Sequence, residues 1–361
     1  MTQYEEHFVK YGDNKTIFYH ATGPSLGPLI IFMHGWPGIG KTWYPQLDVF
    51  SSLGFRVIAP DMPGYGRSTA RNVISDYSQE SVIEGMLAVL GDTGRDQAIW
   101  VGHDWGCGTL WTLANTHPQV CKAAAGLCVP YGSVELGLDQ LLTTVDRQLY
   151  PKDQYPYGQW SYMAYYEQFF DEATAWFNKG IHGFLKCMFV KSSADLIGKP
   201  SSLTSRVLED KGWMGGRSSP PAPEDIPDEA SIMNPAVFKE LVSAMEKTGF
   251  GPADSWYMNH QANRRYNLEH SKHGGQLRMP VLFINCRYET VCTTVTSRLG
   301  SKMRENCLNL TETTIDAGHW VGQEKPQEVN SAIARWLVEE VIEQWPSFWS
   351  NGWTKQQLDQ Q

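Results

Sequence analysis

Short apolar runs alternate with stretches of helical periodicity along most of the chain. Apolar runs without polar alternation are typical of strands that are buried on both faces of a parallel sheet. One amphipathic stretch follows Ser78, whose hydroxyl we expect to cap a helix. The predicted strands read EHFVKY, TIFYHA, PLIIFM, FRVIAPD, QAIWVGH, KAAAGLCVP, MPVLFIN and LTETTID. This alternation predicts an α/β fold with a mostly parallel, doubly wound sheet and helices on both faces.

The alternation stops over residues 131–255. This part is rich in aromatic residues (QYPYGQWSYMAYYEQFFDEATAWF), contains a proline-rich loop (GGRSSPPAPEDIPDE), and has no clear strand pattern. We therefore predict a helical cap, or lid, inserted into a single core. Residues 1–130 form the first part of that core, residues 131–255 form the cap, and residues 256–361 form the second part.

Composition narrows the class of protein. Of 361 residues, 42% are hydrophobic and 19% charged, the formal net charge is −9, and basic runs are absent, which excludes a nucleic-acid partner. No apolar run approaches the roughly 20 residues of a membrane span. Seven irregularly spaced cysteines argue against a disulfide framework or a zinc site. The acidic start, without an apolar stretch, and the ending LDQQ carry no secretory or peroxisomal signal, so we expect a cytoplasmic enzyme.

The sequence GHDWG at residues 102–106 has the layout of a nucleophile elbow, in which two glycines let a strand turn sharply into a helix. Such an elbow usually presents serine, but here it presents Asp104. Displacement at a saturated carbon needs a nucleophile that can be freed afterwards. A serine ether would be a dead end, whereas an aspartyl ester can be hydrolysed at its own carbonyl. The plainer alternative is that Asp104 only caps the following helix.

These motifs resemble those of α/β-hydrolases, and specifically of soluble-type epoxide hydrolases, over nearly the whole chain. The resemblance rests on four segments in order: HGWPG at 34–38, GHDWG at 102–106, GFGPADSWYMN at 249–259 and DAGHW at 316–320. It implies the α/β-hydrolase fold with a helical cap, and a nucleophile followed by an acid and a histidine.

By this resemblance Asp104 is the nucleophile and His319 is the base that activates water. The acid that orients His319 matches Glu289, where the family usually has aspartate, and Asp316 is the alternative. The backbone N–H groups of Trp36 and Trp105 are implied to form the oxyanion hole. A cis peptide before Pro37 is expected to aim Trp36, and His34 is expected to be a scaffold residue.

The resemblance also implies two cap tyrosines that donate to the epoxide oxygen. Aligning YYEQFFDE places the first at Tyr166, and SWYMN places the second at Tyr257. Tyrosine keeps its proton at neutral pH and so stays a donor. The aromatic neighbours of Tyr166 leave open that it is simply cap core. Together with these tyrosines, Trp36, Trp105 and Trp160 are expected to line an apolar substrate pocket.

The sequence thus predicts an epoxide hydrolase that converts a small apolar epoxide and water to a vicinal diol through a covalent aspartyl ester. No metal and no organic cofactor are implied, and a homodimer is left open. Three alternatives remain at this point: a haloalkane dehalogenase with the same Asp104 nucleophile, a biosynthetic enzyme that opens an epoxide intramolecularly, and a binding protein on a hydrolase scaffold.

Overall fold

The computed structural model describes residues 4–346 and contains an eight-stranded sheet in the order β1-β2-β4-β3-β5-β6-β7-β8. The first two strands pair antiparallel with each other and β2 pairs antiparallel with β4, whereas all remaining neighbours are parallel. The strands are β1 (Glu5–Tyr11), β2 (Lys15–Thr22), β3 (Leu29–Met33), β4 (Arg56–Pro60), β5 (Ala98–His103), β6 (Cys121–Leu127), β7 (Leu277–Cys286) and β8 (Cys307–Ile315).

The burial of the strands explains their sequence patterns. Every residue of β3 and β5 is buried, as continuous apolar runs in the middle of a sheet require. Strand β1, at the edge, alternates between more and less exposed residues. The predicted mostly parallel sheet of an α/β-hydrolase fold is therefore confirmed, with an antiparallel β1–β2 pair added at one edge.

The helices cover both faces of the sheet and form the segment between β6 and β7. The predicted cap at Ser78 is confirmed, because its side chain accepts a hydrogen bond from the Ser81 N–H at 3.4 Å. The helices are α1 (Tyr44–Ser52), α2 (Gln79–Asp92), α3 (Trp105–Thr116), α4 (Gly137–Leu142), α5 (Ser161–Gln168), α6 (Phe170–Asn178), α7 (Ile181–Met188), α8 (Trp213–Gly216), α9 (Pro235–Thr248), α10 (Gly251–Asp254), α11 (His260–Glu269), α12 (Ser301–Asn306), α13 (Val321–Glu324) and α14 (Pro326–Glu340).

The segment from residue 128 to residue 276, all of which is described, contains helices and loops and one isolated bridge, Val190–Ser231. The predicted change of pattern after β6 is therefore seen. The boundaries of the predicted cap at residues 131 and 255 stay predictions, and so does the extent of the last core segment, whose residues 347–361 lie outside the described part.

One helix is shorter than the sequence suggests. A helix was expected near residues 295–305, but α12 begins only at Ser301. In the preceding loop, the Ser297 hydroxyl donates to the Thr293 carbonyl at 2.5 Å, and the Thr294 hydroxyl donates to the Asn285 side chain at 2.5 Å. Serine and threonine side chains that bond in this way compete with a helical backbone, which accounts for the late start.

The carboxyl ends of β5, β7 and β8 lie at the same edge of the sheet, and the predicted catalytic segments follow these ends. Ligand sites of open parallel sheets form at this edge. Within residues 4–346, none of the helices combines the length and apolar character that a membrane crossing needs.

Candidate active site

Asp104 lies in the sharp turn between β5 and α3, with φ 53° and ψ −123°. This backbone conformation is costly for a residue with a side chain, and it is typical of functional positions. Glycine is required on both sides of Asp104 because backbone atoms of neighbouring segments come very close there. A Cβ atom on Gly102 would come within 2.6 Å of the Gly106 carbonyl oxygen, and one on Gly106 would come within 2.1 Å of the Met33 carbonyl oxygen. The predicted elbow is therefore present, and it projects Asp104 above the sheet.

The Asp104 carboxylate, His319 and Glu289 form a chain of contacts. The His319 Nε2 atom lies 3.5 Å from Asp104 Oδ2, and His319 Nδ1 lies 2.5 Å from Glu289 Oε2. Glu289 is buried, and its second oxygen accepts the Val291 N–H at 2.7 Å. These bonds fix the carboxylate on the far side of the imidazole from Asp104, the arrangement of a nucleophile, a base and an orienting acid.

Charge around His319 favours its protonated form. Burial alone would lower the pKa of His319, but the negative charges of Glu289 and Asp104 and their hydrogen bonds outweigh it, so that the pKa is raised well above 6.5. The same pairing holds the pKa of Glu289 below its usual range, even though burial opposes this. In this arrangement His319 and Glu289 form an ion pair beside the Asp104 carboxylate.

Asp316, the alternative acid, lies elsewhere. Its carboxylate is exposed and accepts a hydrogen bond from the Arg287 Nε atom at 2.5 Å. Of the two candidate acids in the sequence, only Glu289 is seen in contact with the His319 imidazole.

The HGWPG loop places a backbone donor on the Asp104 carboxylate. The Trp36 N–H donates to Asp104 Oδ1 at 2.7 Å, and the expected cis peptide between Trp36 and Pro37 is present. Gly35 permits this approach, because a Cβ atom there would lie 2.3 Å from Asp104 Oδ1. Trp105 is the first residue of α3, where helix N–H groups have no partner within the helix. Both backbone groups predicted for the oxyanion hole therefore flank Asp104.

The ring nitrogens of His34 meet backbone groups, and its ring packs edge-to-face on Tyr65. Its Nε2 accepts the Met62 N–H at 2.9 Å, while Nδ1 lies 2.9 Å from the Gly35 carbonyl oxygen. Burial lowers the pKa of His34 to about 4, so the ring is neutral and joins two loops.

Tyr162, Tyr166 and Tyr257 line the same cavity as Asp104, and their hydroxyls have different partners. The hydroxyls of Tyr162 and Tyr257 hydrogen-bond to each other, and both are close enough to Asp104 to feel its charge. The Tyr166 hydroxyl instead donates to Asp254 Oδ1 at 2.9 Å. Burial raises the pKa of all three phenols, so they stay protonated at neutral pH. The structure therefore pairs Tyr257 with Tyr162, where the sequence alignment had chosen Tyr166.

A cavity of about 260 Å³ lies above Asp104 and is walled mainly by aromatic and aliphatic side chains. Trp36 lines it, whereas Trp105 packs edge-to-face on Tyr257 with ring centroids 5.2 Å apart. Trp160 is fully buried and outside the cavity wall, so it does not reach a ligand there. The residues that wall the cavity closest to the chemistry are Trp36, Asp104, Tyr162, Tyr166, Tyr257 and His319.

His103, Cys128 and His319 lie close enough together to be considered as metal ligands. The side chains of His103 and Cys128 instead bind the His319 backbone. His103 Nε2 lies 2.7 Å from the His319 carbonyl oxygen, and Cys128 Sγ donates to the same oxygen at 3.0 Å. Burial lowers the pKa of His103 to about 4, so its neutral ring can donate this bond. The two side chains therefore hold the loop that carries His319.

Two residues of the site, Tyr162 and Asp254, were not identified from the sequence. Tyr162 lies four residues before Tyr166 on the same face of α5, and no local signal distinguishes them. Asp254 lies within the GFGPADSWYMN motif, three residues before Tyr257. An acidic residue in an otherwise apolar motif was the available signal for a buried carboxylate.

Comparison with known proteins finds relatives of the same fold. The model of the α/β-hydrolase fold family matches residues 28–178. Bifunctional epoxide hydrolase 2 of Rattus norvegicus is 28% identical over 330 residues, which cover 89% of this chain and 54% of that protein. Epoxide hydrolase A of Mycobacterium tuberculosis is 26% identical over 329 residues, which cover 88% of this chain and 92% of that protein.

Among solved structures, epoxide hydrolase A from Mycobacterium thermoresistibile matches with a TM-score of 0.74 and 25% identity, over 93% of this chain and 99% of that chain. The chain has the α/β-hydrolase fold, with a mostly parallel eight-stranded sheet. Within this fold, the chain is similar to proteins named epoxide hydrolases. It spans about half the length of the bifunctional mammalian relatives and nearly all of the length of the mycobacterial ones.

Proposed function

We propose that the protein is an epoxide hydrolase that forms a vicinal diol through an ester on Asp104. The observation that carries this proposal is the set of groups around the Asp104 carboxylate. Its Oδ1 accepts the Trp36 N–H at 2.7 Å, its Oδ2 lies 3.5 Å from His319 Nε2, and a pair of tyrosine hydroxyls lies across the same apolar cavity. The oxygen held by Trp36 is placed to become the ester carbonyl, and the other oxygen is placed to attack.

In the first step, Asp104 Oδ2 attacks an epoxide carbon and the ring C–O bond breaks. The oxygen that leaves carbon takes a proton from Tyr162 or Tyr257, which are both protonated at neutral pH. The products are an aspartyl ester that carries a free hydroxyl and one tyrosinate. The mostly apolar walls lower the local dielectric, which strengthens these hydrogen bonds.

In the second step, water attacks the Asp104 carbonyl carbon and His319 Nε2 takes its proton. Esterification removes the Asp104 charge that had raised the pKa of His319, so the imidazole can lose its first proton and act as a base. The tetrahedral oxygen is stabilised by the backbone N–H groups of Trp36 and Trp105. Collapse of this intermediate expels the diol oxygen, which takes the proton of the new carboxyl group and so restores the Asp104 carboxylate. The tyrosinate takes up the first proton of His319, and His319 keeps the proton of the water, so every group returns to its starting state.

The relatives support this proposal, since those matched over most of the chain are named epoxide hydrolases. A specific contact disfavours a haloalkane dehalogenase. A halide site needs donors that face the cavity, but the Trp36 indole N–H donates to Asp254 at 2.8 Å. Paired tyrosine hydroxyls suit an oxygen leaving group, which requires a proton, whereas a halide does not.

The substrate class and the setting of the enzyme belong to the proposal as well. A cavity of about 260 Å³ with aromatic walls suits a small apolar epoxide. All seven cysteines are free thiols, which suits a reducing compartment such as the cytoplasm.

The test is a panel of terminal, styrene-type and trans-disubstituted epoxides beside alkyl bromides, scored for diol and for bromide. We expect diol from at least one epoxide class and no bromide release. Bromide without diol would establish the dehalogenase instead, and a cyclic ether product from an epoxy alcohol would establish the intramolecular variant.

A further inference from the structure

Asp254 is a carboxylate inside the protein whose three partners are all uncharged donors. It is the last residue of α10, and its side chain is fully buried. Its Oδ1 accepts the Trp36 indole N–H at 2.8 Å and the Tyr166 hydroxyl at 2.9 Å, while Oδ2 accepts the Thr174 hydroxyl at 2.9 Å. These bonds join the HGWPG loop of the core to helices α5 and α6 of the cap region.

The burial of this carboxylate is unfavourable in itself. Desolvation raises the pKa of Asp254 to about 7, although the hydrogen bonds from Trp36, Thr174 and Tyr166 counteract it. A buried charge paired only with neutral donors rarely improves stability over an apolar side chain. The effect of these bonds is therefore sought in the residues that they hold in place, Trp36 and Tyr166.

Trp36 is one such residue, because it has two separate functions in the structure. Its backbone N–H binds Asp104 Oδ1, and its indole both lines the cavity and binds Asp254. Because both groups belong to one residue, the bond that fixes the indole also limits how far the N–H that faces Asp104 can move.

Tyr166 is the second such residue. Its ring stacks on the ring of Tyr257, with centroids 4.8 Å apart and an interplanar angle of 11°. Because Asp254 anchors the Tyr166 hydroxyl, this ring supports the tyrosine that faces Asp104 from the other side.

We propose that Asp254 is a positioning residue that aligns the oxyanion donor of Trp36 and, through Tyr166, the ring-opening hydroxyl of Tyr257. The inference rests on the proposed function, since the two alignments act on hydrolysis of the ester and on its formation. It assigns to one buried carboxylate the coupling between the cap region and the core.

The test compares Asp254→Asn with Asp254→Ala by single-turnover rates of ester formation and ester hydrolysis. Asparagine can accept both bonds at its carbonyl oxygen and donate its amide to the Thr174 hydroxyl, so all three contacts survive without the charge. We expect Asp254→Asn to stay within about threefold of the wild type. Asp254→Ala should slow hydrolysis by roughly 10- to 100-fold, since small misplacements of catalytic groups cost that much.

Glu135 supplies the matched control for a loss of stability alone. It is a second fully buried carboxylate, which accepts the Gly132 N–H at 2.6 Å and the Ser133 N–H at 3.2 Å and takes no part in the proposed chemistry. Glu135→Ala should lower the melting temperature and leave both rates unchanged. Loss of both rates in this variant, to the extent seen for Asp254→Ala, would overturn the inference by showing that destabilisation explains the effect.

A double-mutant cycle tests the route through the indole. Trp36→Phe removes the indole N–H and keeps an aromatic ring and the backbone N–H. It should slow hydrolysis roughly tenfold when made in the wild-type protein and much less when made in Asp254→Ala. Effects of the two substitutions that simply multiply would overturn the inference. A Trp36→Phe variant with wild-type hydrolysis would also overturn it, even if Asp254→Ala failed to fold. A wild-type protein that forms no ester from any epoxide would reject the proposed function first, and this inference with it.

Discussion

The two sides of the active-site cavity are positioned by different means. On the core side, Asp104, Glu289 and His319 each follow the carboxyl end of a strand, and the order of the strands in the sheet brings them together. On the cap side, Tyr162 and Tyr166 lie one helical turn apart on α5, and their hydroxyls have different partners. The order of the strands specifies one site residue at each strand end, whereas one face of a helix carries several residues that the sequence does not distinguish.

The largest effect that we expect separates the two sides by reaction step. Ester formation needs Asp104 and the tyrosines, but hydrolysis needs the base on the core side. His319→Gln should therefore reduce turnover by on the order of 10⁴-fold while it still consumes one equivalent of epoxide. Intact-mass spectrometry should show the protein heavier by one substrate, and a digest should place the added mass on residues 100–111.

Asp104→Asn is the control for this trap, because an amide is a feeble nucleophile and should initially form no adduct. Diol release from an unmodified His319→Gln protein would contradict the covalent mechanism and indicate direct attack by water.

The next effect tests the cap side. Tyr162→Phe and Tyr257→Phe should each raise the activation free energy of ring opening by about 2–4 kcal/mol, by analogy with the loss of one oxyanion donor. Tyr166→Phe should have a smaller effect, roughly tenfold, because its hydroxyl bonds to Asp254 and acts only through the stacked ring. Single-turnover rates on an activated epoxide measure all three. A slow Tyr166→Phe beside a normal Tyr162→Phe would restore the assignment made from the sequence.

On the core side, a smaller effect distinguishes the two candidate acids. Glu289→Gln should slow ester hydrolysis by on the order of 10²-fold and spare ester formation, because Glu289 acts only through His319. Asp316→Asn should leave both steps unchanged, since Asp316 is exposed and paired with Arg287. Pre-steady-state rates of the two steps decide between them, and the reverse result would make Asp316 the acid.

The smallest expected effect is a change in the titration of His319. Its raised pKa means that protonated His319 contributes stability fully below its ordinary value of 6.5, and that this contribution is lost as pH rises through the raised pKa. Asp104→Asn removes one of the charges responsible, so the pKa should fall and the loss should begin at lower pH. NMR titration of the imidazole and melting temperatures across this range measure both, and an unchanged titration would show that Asp104 has no electrostatic influence on the base.

Sequence reasoning reached much of the core and less of the cap region. The glycines at 102 and 106, the apolar strands and the order of the motifs sufficed for the sheet, the elbow and the segments around Glu289 and His319. The choice between Tyr162 and Tyr166 could not be made in this way, because residues four apart point the same way and long-range packing decides which hydroxyl meets that of Tyr257. The contact between Asp254 and Trp36 spans 218 positions, and no local pattern reports such a pair.

The backbone at Asp104 has a thermodynamic consequence for the whole protein. At φ 53° and ψ −123°, any residue with a Cβ atom carries a conformational penalty of about 1–3 kcal/mol, which the rest of the fold must offset. Asp104→Gly and Asp104→Ala both remove the nucleophile, yet only glycine adopts these angles freely. We expect the glycine variant to unfold at higher denaturant concentration than the alanine variant. Folding stability and activity therefore make opposite demands on this one position.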